Sequence, residues 1–330
     1  MLKKFKSHKA DLLIIVIILL AGLKFTYMLE DGLDISLYDE ASYLYGGIKL
    51  PVNGLPRVDY APLYAIWYFI ISLIEPNRVN LFYLNIKLMT ILPPILVYIL
   101  LRRTRVSVPV SFTISWFFLL SRANAFTWPK VSHFALLVTL VILILISRRN
   151  LLWTSLFASF GALVVSYIRP EFFVAYLLSL LLFILIAAFG KQERIRLPSL
   201  LWYILFTVII LGVFGFPVSS DRSIIAFGQH FSRNWVLWTG SDLNPWTNWA
   251  EIVAQNFGTA DNVWSAFTNN PSVFLKHVSY NLLELIRNAS TLILPTFFPK
   301  GKLSFSIAAL SIIGICIAKR SVIRNNFREY

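Results

Sequence analysis

Long apolar stretches separated by short polar ones run through the whole chain. Crossing a bilayer takes a helix of about 20 apolar residues, within a range of about 17–25. Hydrophobic residues make up 57% of the 330 residues and charged residues only 14%, whereas a soluble domain carries roughly 25% charged residues. The pattern predicts an all-α, polytopic integral membrane protein with about eight transmembrane helices, at 11-29, 79-101, 106-122, 131-147, 151-168, 172-189, 199-217 and 302-318.

Two segments after the first crossing have helical patterns without the length of a crossing. Between residues 39 and 50, apolar positions recur at helical spacing, which predicts an amphipathic helix. The segment 62-74, PLYAIWYFIISLI, is short for a crossing and suits an interfacial or re-entrant helix. We predict that both helices lie on the outer face, because a crossing at 62-74 would place the basic cluster at 102-105 outside.

The net charge of +14 indicates the orientation of the chain in the membrane and not nucleic-acid binding. Cytoplasmic loops of membrane proteins carry an excess of Lys and Arg. Eight crossings place every basic cluster inside, together with both termini. The protein is therefore predicted in the plasma (inner) membrane, with no nucleic-acid partner. The clusters lie at 3-9, 102-105, 148-149, 191-196 and 319-328.

This topology predicts a single membrane domain, 1-330, with two long segments on the non-cytoplasmic side. The first, 30-78, is rich in acidic residues and holds both interfacial helices. The second, 218-301, is rich in tryptophan. The basic N-terminus and first apolar stretch resemble a signal peptide without a clear cleavage site, so we predict a retained anchor.

The acidic residues of the first outer segment are the candidate chemistry. Asp39 and Glu40 fall in the first turn of the predicted helix at 39-50, and Asp59 lies three residues before Pro62. One interpretation is a catalytic site, because a carboxylate can remove the proton of an acceptor hydroxyl. The other is helix capping, because carboxylates also stabilise the N-terminal turn of a helix. Spacing alone leaves both open.

The order of features over residues 1-105 resembles the start of the GT-C superfamily of membrane glycosyltransferases. The resemblance is carried by Asp39-Glu40-Ala41-Ser42-Tyr43 and by Ala61-Pro62-Leu63-Tyr64. It is nearest to the protein O-mannosyltransferase and aminoarabinose-transferase group. It implies a hexosyl- or pentosyl-transferase of the cell envelope, acting with inversion. The donor would be a polyprenyl-phosphate-linked sugar, and the acceptor a glycan, lipid or protein on the outer face.

The resemblance also implies roles for individual residues. The general base falls on Asp39, with Glu40 beside it. Asp59 and Tyr64 are candidates for substrate binding. Arg169, in the turn YIRPEFF, is a candidate clamp for the carrier phosphate, as are Lys130 and His133 with less support. The cofactor is open, with Glu40, Asp59 and His133 the candidate ligands of a divalent metal ion.

Three alternatives remain open at this stage. A lipid-linked glycan flippase or a polymerase would also be polytopic and basic on the inside, and so would another multi-pass transport protein. Arg169 has its own alternatives, namely interaction with lipid headgroups or pairing with Glu171. The sugar, the acceptor and the oligomeric state are not indicated by the sequence.

Overall fold

The computed structural model describes residues 2–35, 39–125, 129–189, 197–217 and 222–293, and within these ranges all regular structure is helical. The predicted all-α class is therefore confirmed. The chain divides into two compact units. The first contains residues 1–120 and 124–220, and the second contains residues 121–123 and 221–330. The last predicted crossing, 302-318, lies outside the described residues.

Most of the helices belong to the first unit, and the short helix at residues 122–125 is divided between the two units. Their bounds follow the predicted apolar stretches closely, and the two predicted interfacial helices appear as α3 and α5. A single turn of 3-10 helix, Val58–Tyr60, precedes α5. The helices are α1 (Leu2–Phe25), α2 (Leu29–Gly32), α3 (Asp39–Ile48), α4 (Leu50–Asn53), α5 (Pro62–Ser72), α6 (Arg78–Arg103), α7 (Val108–Leu119), α8 (Arg122–Ala125), α9 (Val131–Ile146), α10 (Leu151–Ser166), α11 (Phe172–Phe189) and α12 (Leu197–Phe214).

Two of the described helices, α6 and α11, are long and apolar enough to cross a membrane. Helices α5, α7, α9, α10 and α12 are also apolar but shorter. Apolar side chains are widely exposed on α11 and α12, including Leu178, Ile184 and Val208. Apolar surface left uncovered on this scale marks an interaction site or a membrane-facing surface.

Helices α1 and α6 pack antiparallel, and polar contacts join α6 to α1 at one end and to α2, the short helix that follows α1, at the other. At one end, Arg102 Nε donates to Asp11 Oδ1 at 2.7 Å, and the Tyr98 hydroxyl donates to the same oxygen at 2.7 Å. At the other end, Lys87 Nζ lies 2.8 Å from Glu30 Oε1. The charged contacts thus lie at opposite ends of the apolar stretch that α6 shares with α1.

Two prolines, Pro93 and Pro94, lie inside α6. Proline has no N–H to donate to the carbonyl four residues earlier, so Pro94 leaves the Thr90 carbonyl without its helical partner. Asn124 supplies the missing donor, with its side-chain nitrogen 2.9 Å from the Thr90 oxygen. In an apolar setting such replacement partners are what makes a helix-interior proline tolerable.

The second unit consists of α13 (Arg222–Thr239), α14 (Trp249–Phe257), α15 (Val263–Asn269) and α16 (Pro271–Ile293). These four helices fall within the predicted outer segment 218-301. Phe231, Ile252 and Phe257 form the centre of its core. Buried Asn234 donates to His277 Nδ1, over 2.9 Å, and burial lowers the pKa of His277 to about 4.

Helix α3 lies very close to α5, and the contact depends on a glycine. A Cβ atom at Gly47 would come within 2.4 Å of the Tyr68 Cβ and 2.8 Å of the Ala65 carbonyl oxygen. The preceding residue, Gly46, has room, because its nearest neighbour would be the Ala65 Cβ at 3.9 Å. Only the glycine at 47 is therefore needed for packing.

Replacing Gly47 with alanine should destabilise the protein by about 1–3 kcal/mol, the usual cost of forcing extra atoms into a packed contact. The matched control is Gly46→Ala. It should be neutral or stabilising by up to about 1 kcal/mol, because alanine favours the helix over glycine. Thermal unfolding in detergent, followed by circular dichroism, measures both. Equal midpoints for the two variants would contradict the packing argument.

Candidate functional site

Asp39 and Glu40 lie side by side in the first turn of α3 but face different surroundings. Successive residues of a helix point about 100° apart, so neighbours in sequence do not share a face. Asp39 is exposed and makes no hydrogen bond or ion pair with a described residue, whereas Glu40 is 0% exposed. The pair predicted as one carboxylate site therefore divides into a solvent-facing acid and a buried one.

One oxygen of Glu40 accepts hydrogen bonds from helices α5 and α6. Its Oε1 atom accepts from the Tyr64 hydroxyl at 2.5 Å, from the Tyr68 hydroxyl, and from Asn85 Nδ2 at 2.9 Å. Tyr64 and Tyr68 are four residues apart and so lie on one face of α5. Their shared face delivers two hydroxyl donors to a single carboxylate oxygen.

Asn85, on α6, organises these donors. Its side-chain nitrogen also lies 2.7 Å from the Tyr64 hydroxyl oxygen and 2.8 Å from that of Tyr68. Its amide oxygen accepts from Trp67 Nε1 at 2.8 Å. An indole nitrogen only donates, so Trp67 fixes which end of the amide faces Glu40. The Asn85 nitrogen is thus held toward the carboxylate.

The second oxygen of Glu40 is held by the start of α9. The backbone N–H of Lys130 donates to Glu40 Oε2 at 2.7 Å. The Lys130 side chain is 1% exposed, and its Nζ donates to the Asn124 carbonyl oxygen at 2.6 Å. Asn124 also satisfies the Thr90 carbonyl freed by Pro94. The buried carboxylate is therefore connected to α5, α6 and α9, and we call this set of residues the Glu40 network.

Burial and hydrogen bonding act on the charges of this network in opposite directions. Burial raises the pKa of Glu40, and the hydrogen bonds from Tyr64, Tyr68 and the Lys130 backbone oppose the rise. Burial lowers the pKa of Lys130 to about 8, and the nearby Glu40 carboxylate opposes the fall. Burial also raises the pKa of both tyrosines well above the usual value, so their hydroxyls remain protonated donors.

Aromatic packing surrounds the network and excludes water from it. The Tyr64 ring lies 5.4 Å from that of Tyr43, 5.1 Å from that of Tyr68 and 5.1 Å from that of Phe134. Trp67 packs against the same Phe134 ring, with the centroids 5.5 Å apart. Low local dielectric strengthens every hydrogen bond inside this shell and makes an unpaired group costly.

The structure brings together Glu40, Tyr64 and Lys130 among the predicted site residues, and His133 is also buried, one helical turn into α9. Arg169 does not join them. It lies in the turn before α11, with its Nη2 2.9 Å from Glu171 Oε1, and both side chains are substantially exposed. Asp59 belongs to the 3-10 turn before α5, and its side chain is not among those described.

The described part of the chain contains no cluster of side chains that supports the predicted divalent-metal site. Within it, no three His, Cys, Asp or Glu side chains are grouped closely enough to hold a metal ion. Both oxygens of Glu40 accept hydrogen bonds from protein donors.

Sequence reasoning missed Tyr68, Asn85 and Trp67 as members of the site. A signal for Asn85 was present, because a polar residue inside an apolar crossing is expected to have a specific partner. Tyr68 could have been found from its spacing of four residues after Tyr64. Nothing in the sequence pattern pointed to Lys130 acting through its backbone N–H.

Comparisons with protein-family models, with curated proteins and with solved structures each gave no match for this chain.

Removing the Tyr68 hydroxyl tests the Glu40 network. Tyr68→Phe should cost about 1.5–3 kcal/mol, because the lost hydrogen bond is made to an ionisable acceptor. The matched control is Tyr83→Phe, which removes a 2.7 Å hydrogen bond to the neutral Leu33 carbonyl and should cost about 0.5–1.5 kcal/mol. Unfolding midpoints in detergent measure the difference.

The cost of Tyr68→Phe should also depend on pH. The pKa of Glu40 is higher in the folded protein than its ordinary value of 4.5. The protonated carboxyl therefore stabilises the folded state below pH 4.5, and this stabilisation is lost as the pH rises through the folded-state pKa. Losing a donor that favours the ionised form raises this pKa further. The variant should therefore be more destabilised at about pH 8 than at about pH 5, while Tyr83→Phe shows no such trend. The opposite trend would show that Tyr68 does not hold the carboxylate.

Proposed function

We propose that the chain is a polytopic membrane glycosyltransferase of the GT-C type. It would move a sugar from a polyprenyl-phosphate carrier to an acceptor on the non-cytoplasmic face, with inversion. Asp39 acts as the general base in this proposal. Glu40, with Tyr64 and the start of α9, holds α3 so that Asp39 stays at the surface.

One observation carries the proposal: the two segments on which the resemblance rests contact each other through Glu40 and Tyr64. Residues 39-43 lie on α3, residues 61-64 lead into α5, and the Tyr64 hydroxyl donates to the Glu40 carboxylate at 2.5 Å. The contact fixes the first turn of α3 and leaves the neighbouring Asp39 exposed. An exposed carboxylate on a rigidly held helix end is what a base acting on an external substrate requires.

Beyond the general base, the transfer reaction requires only a group that stabilises the charge of the leaving phosphate. An acceptor hydroxyl becomes a good nucleophile when a positioned carboxylate takes its proton. The leaving polyprenyl phosphate needs charge stabilisation rather than a proton donor. Arg169 is the proposed phosphate contact. Its ion pair with Glu171 is exposed, and such pairs contribute only about 0–1 kcal/mol, so a phosphate can displace it at little cost.

The sequence suggested Lys130 as a contact to the carrier phosphate, but the proposal gives it a different role. Its ammonium is buried against the Asn124 carbonyl, and its backbone N–H donates to Glu40. It therefore positions the carboxylate network. Tyr64 is fully buried against Glu40, so in this proposal it positions the carboxylate network and does not contact substrate. His133 and Asp59 remain proposed as residues shaping the substrate side, and the identity of any metal ion stays open.

The proposed topology has eight crossings, both termini in the cytoplasm and the site on the outer face of the inner membrane. The antiparallel pair α1 and α6 supports it. Asp11 and Arg102 meet at the end assigned to the cytoplasm, and Glu30 and Lys87 meet at the opposite end. The exposed apolar surface of α11 and α12 also suits a lipid-facing position.

The test is transfer by purified protein in liposomes supplied with a panel of radiolabelled polyprenyl-phosphate sugars and a membrane extract as acceptor. Asp39→Asn should lower transfer at least about a hundredfold, as expected for loss of a general base. The matched control is Asp34→Asn, since Asp34 is another exposed acid of the same outer segment with no described partner.

The comparison requires that both variants unfold at the wild-type temperature. Equal activity of Asp39→Asn and wild type would remove Asp39 from the reaction. Movement of a lipid-linked sugar across the bilayer without transfer would instead favour the flippase.

A further inference from the structure

A groove between α10 and α12 has not been assigned a role so far. It encloses about 510 Å³, within the range of small-molecule sites. Its lining is almost entirely apolar and aromatic. The lining residues are Arg149, Trp153, Leu156, Phe157, Phe160, Ser199, Trp202, Tyr203 and Phe206. None of them belongs to the Glu40 network.

Stacked aromatic side chains form the two walls. On α10, the rings of Trp153 and Phe157 stack with centroids 5.7 Å apart, and on α12 Trp202 and Phe206 do the same at 5.7 Å. Trp202 and Phe206 remain 57% and 48% exposed, although they face another helix across the groove. Stacking thus orients the aromatic rings of both walls, and the rings on α12 still expose apolar surface to the groove.

The floor of the groove is formed by packed apolar side chains. Leu156 is 2% exposed and packs in a cluster with Leu152 and Phe183. The Tyr203 hydroxyl lies 3.0 Å from Ser159 Oγ, so this polar group already has a partner. A ligand in the groove would therefore meet almost no unsatisfied polar atoms along its length.

Among the described residues that line the groove, Arg149 is the one cation, and it lies at one end. The Arg149 guanidinium lies over the Phe157 ring, 5.8 Å from its centroid, and makes no ion pair with a described acid. The neighbouring Arg148 is turned away, with its Nε donating to the Arg103 carbonyl oxygen at 3.4 Å. Helix α10 begins two residues after Arg149. The groove thus runs from a cation at the predicted cytoplasmic surface into the apolar layer.

We propose that this groove binds an anionic phospholipid of the inner leaflet, with the phosphate at Arg149 and an acyl chain along the aromatic walls. A long apolar channel fits the chain, and one cation at its mouth fits the headgroup. Basic pockets between membrane helices on the cytoplasmic side recognise anionic headgroups in general. The site lies at the opposite end of the proposed topology from Asp39, and it rests on membrane placement alone, not on sugar transfer.

Native mass spectrometry of the detergent-solubilised full chain, titrated with phosphatidylglycerol and with phosphatidylcholine, tests the headgroup contact. One phosphatidylglycerol should bind in preference to phosphatidylcholine. Arg149→Gln should weaken phosphatidylglycerol binding about fivefold, the effect of one basic residue on an anionic lipid. The matched control is Arg148→Gln, which loses the same charge and should change binding less than about twofold. Equal losses in the two variants, or equal binding of both lipids, would overturn the proposal.

A bulky substitution tests the position of the acyl chain. Ser199→Phe places a ring in the groove and should weaken phosphatidylglycerol binding at least about fivefold, whereas Leu201→Phe, at an exposed position of the same helix, should leave it unchanged. Both variants must keep the wild-type unfolding temperature. A phosphatidylglycerol with a photoreactive acyl chain provides a second measurement. Crosslinks should map to residues 153–160 and 199–206, and crosslinks confined to other helices would refute this location.

Discussion

Burial of the Glu40 carboxylate is the constraint on which the arrangement of α3, α5, α6 and α9 depends. Taking a carboxylate out of water costs several kcal/mol unless donors replace the lost hydration. Here the replacements come from two tyrosines, an asparagine and a backbone N–H on three different elements. Displacing any of these elements would leave the carboxylate short of a donor, so the helices are held in one relative position.

Asp39 and Glu40 show how two adjacent acids of one helix can lie in different environments. Adjacent residues on a helix point in different directions, so one acid is directed inward while the other stays in solvent. The buried acid fixes the helix end through its hydrogen bonds, and the exposed acid is accessible to solvent. The close α3–α5 contact at Gly47 strengthens this division, because it leaves α3 no space to rotate.

The apolar helices were predictable because their pattern reflects a local property, the length and spacing of hydrophobic runs. The amphipathic helix at 39-50 was predicted for the same reason and appears as Asp39–Ile48. Partners across the site were not predictable in this way. The backbone N–H of Lys130 carries no sequence signature, and the sequence does not say that α9 begins beside Glu40. Asn85 gave a local signal as a polar residue in an apolar helix, but its partner depended on how α5 and α6 pack.

Asn124 and Lys130 also have a consequence for biosynthesis. Glu40 and the Lys130 backbone donor are 90 residues apart in the chain. At translation rates of about 5–20 residues per second, the carboxylate emerges on the order of ten seconds before that donor exists. During this interval Glu40 Oε2 lacks the Lys130 donor, while the donors to Oε1 from α5 and α6 are already present in the chain. The Glu40 network can therefore be completed only once Asn124 and Lys130 have been synthesised.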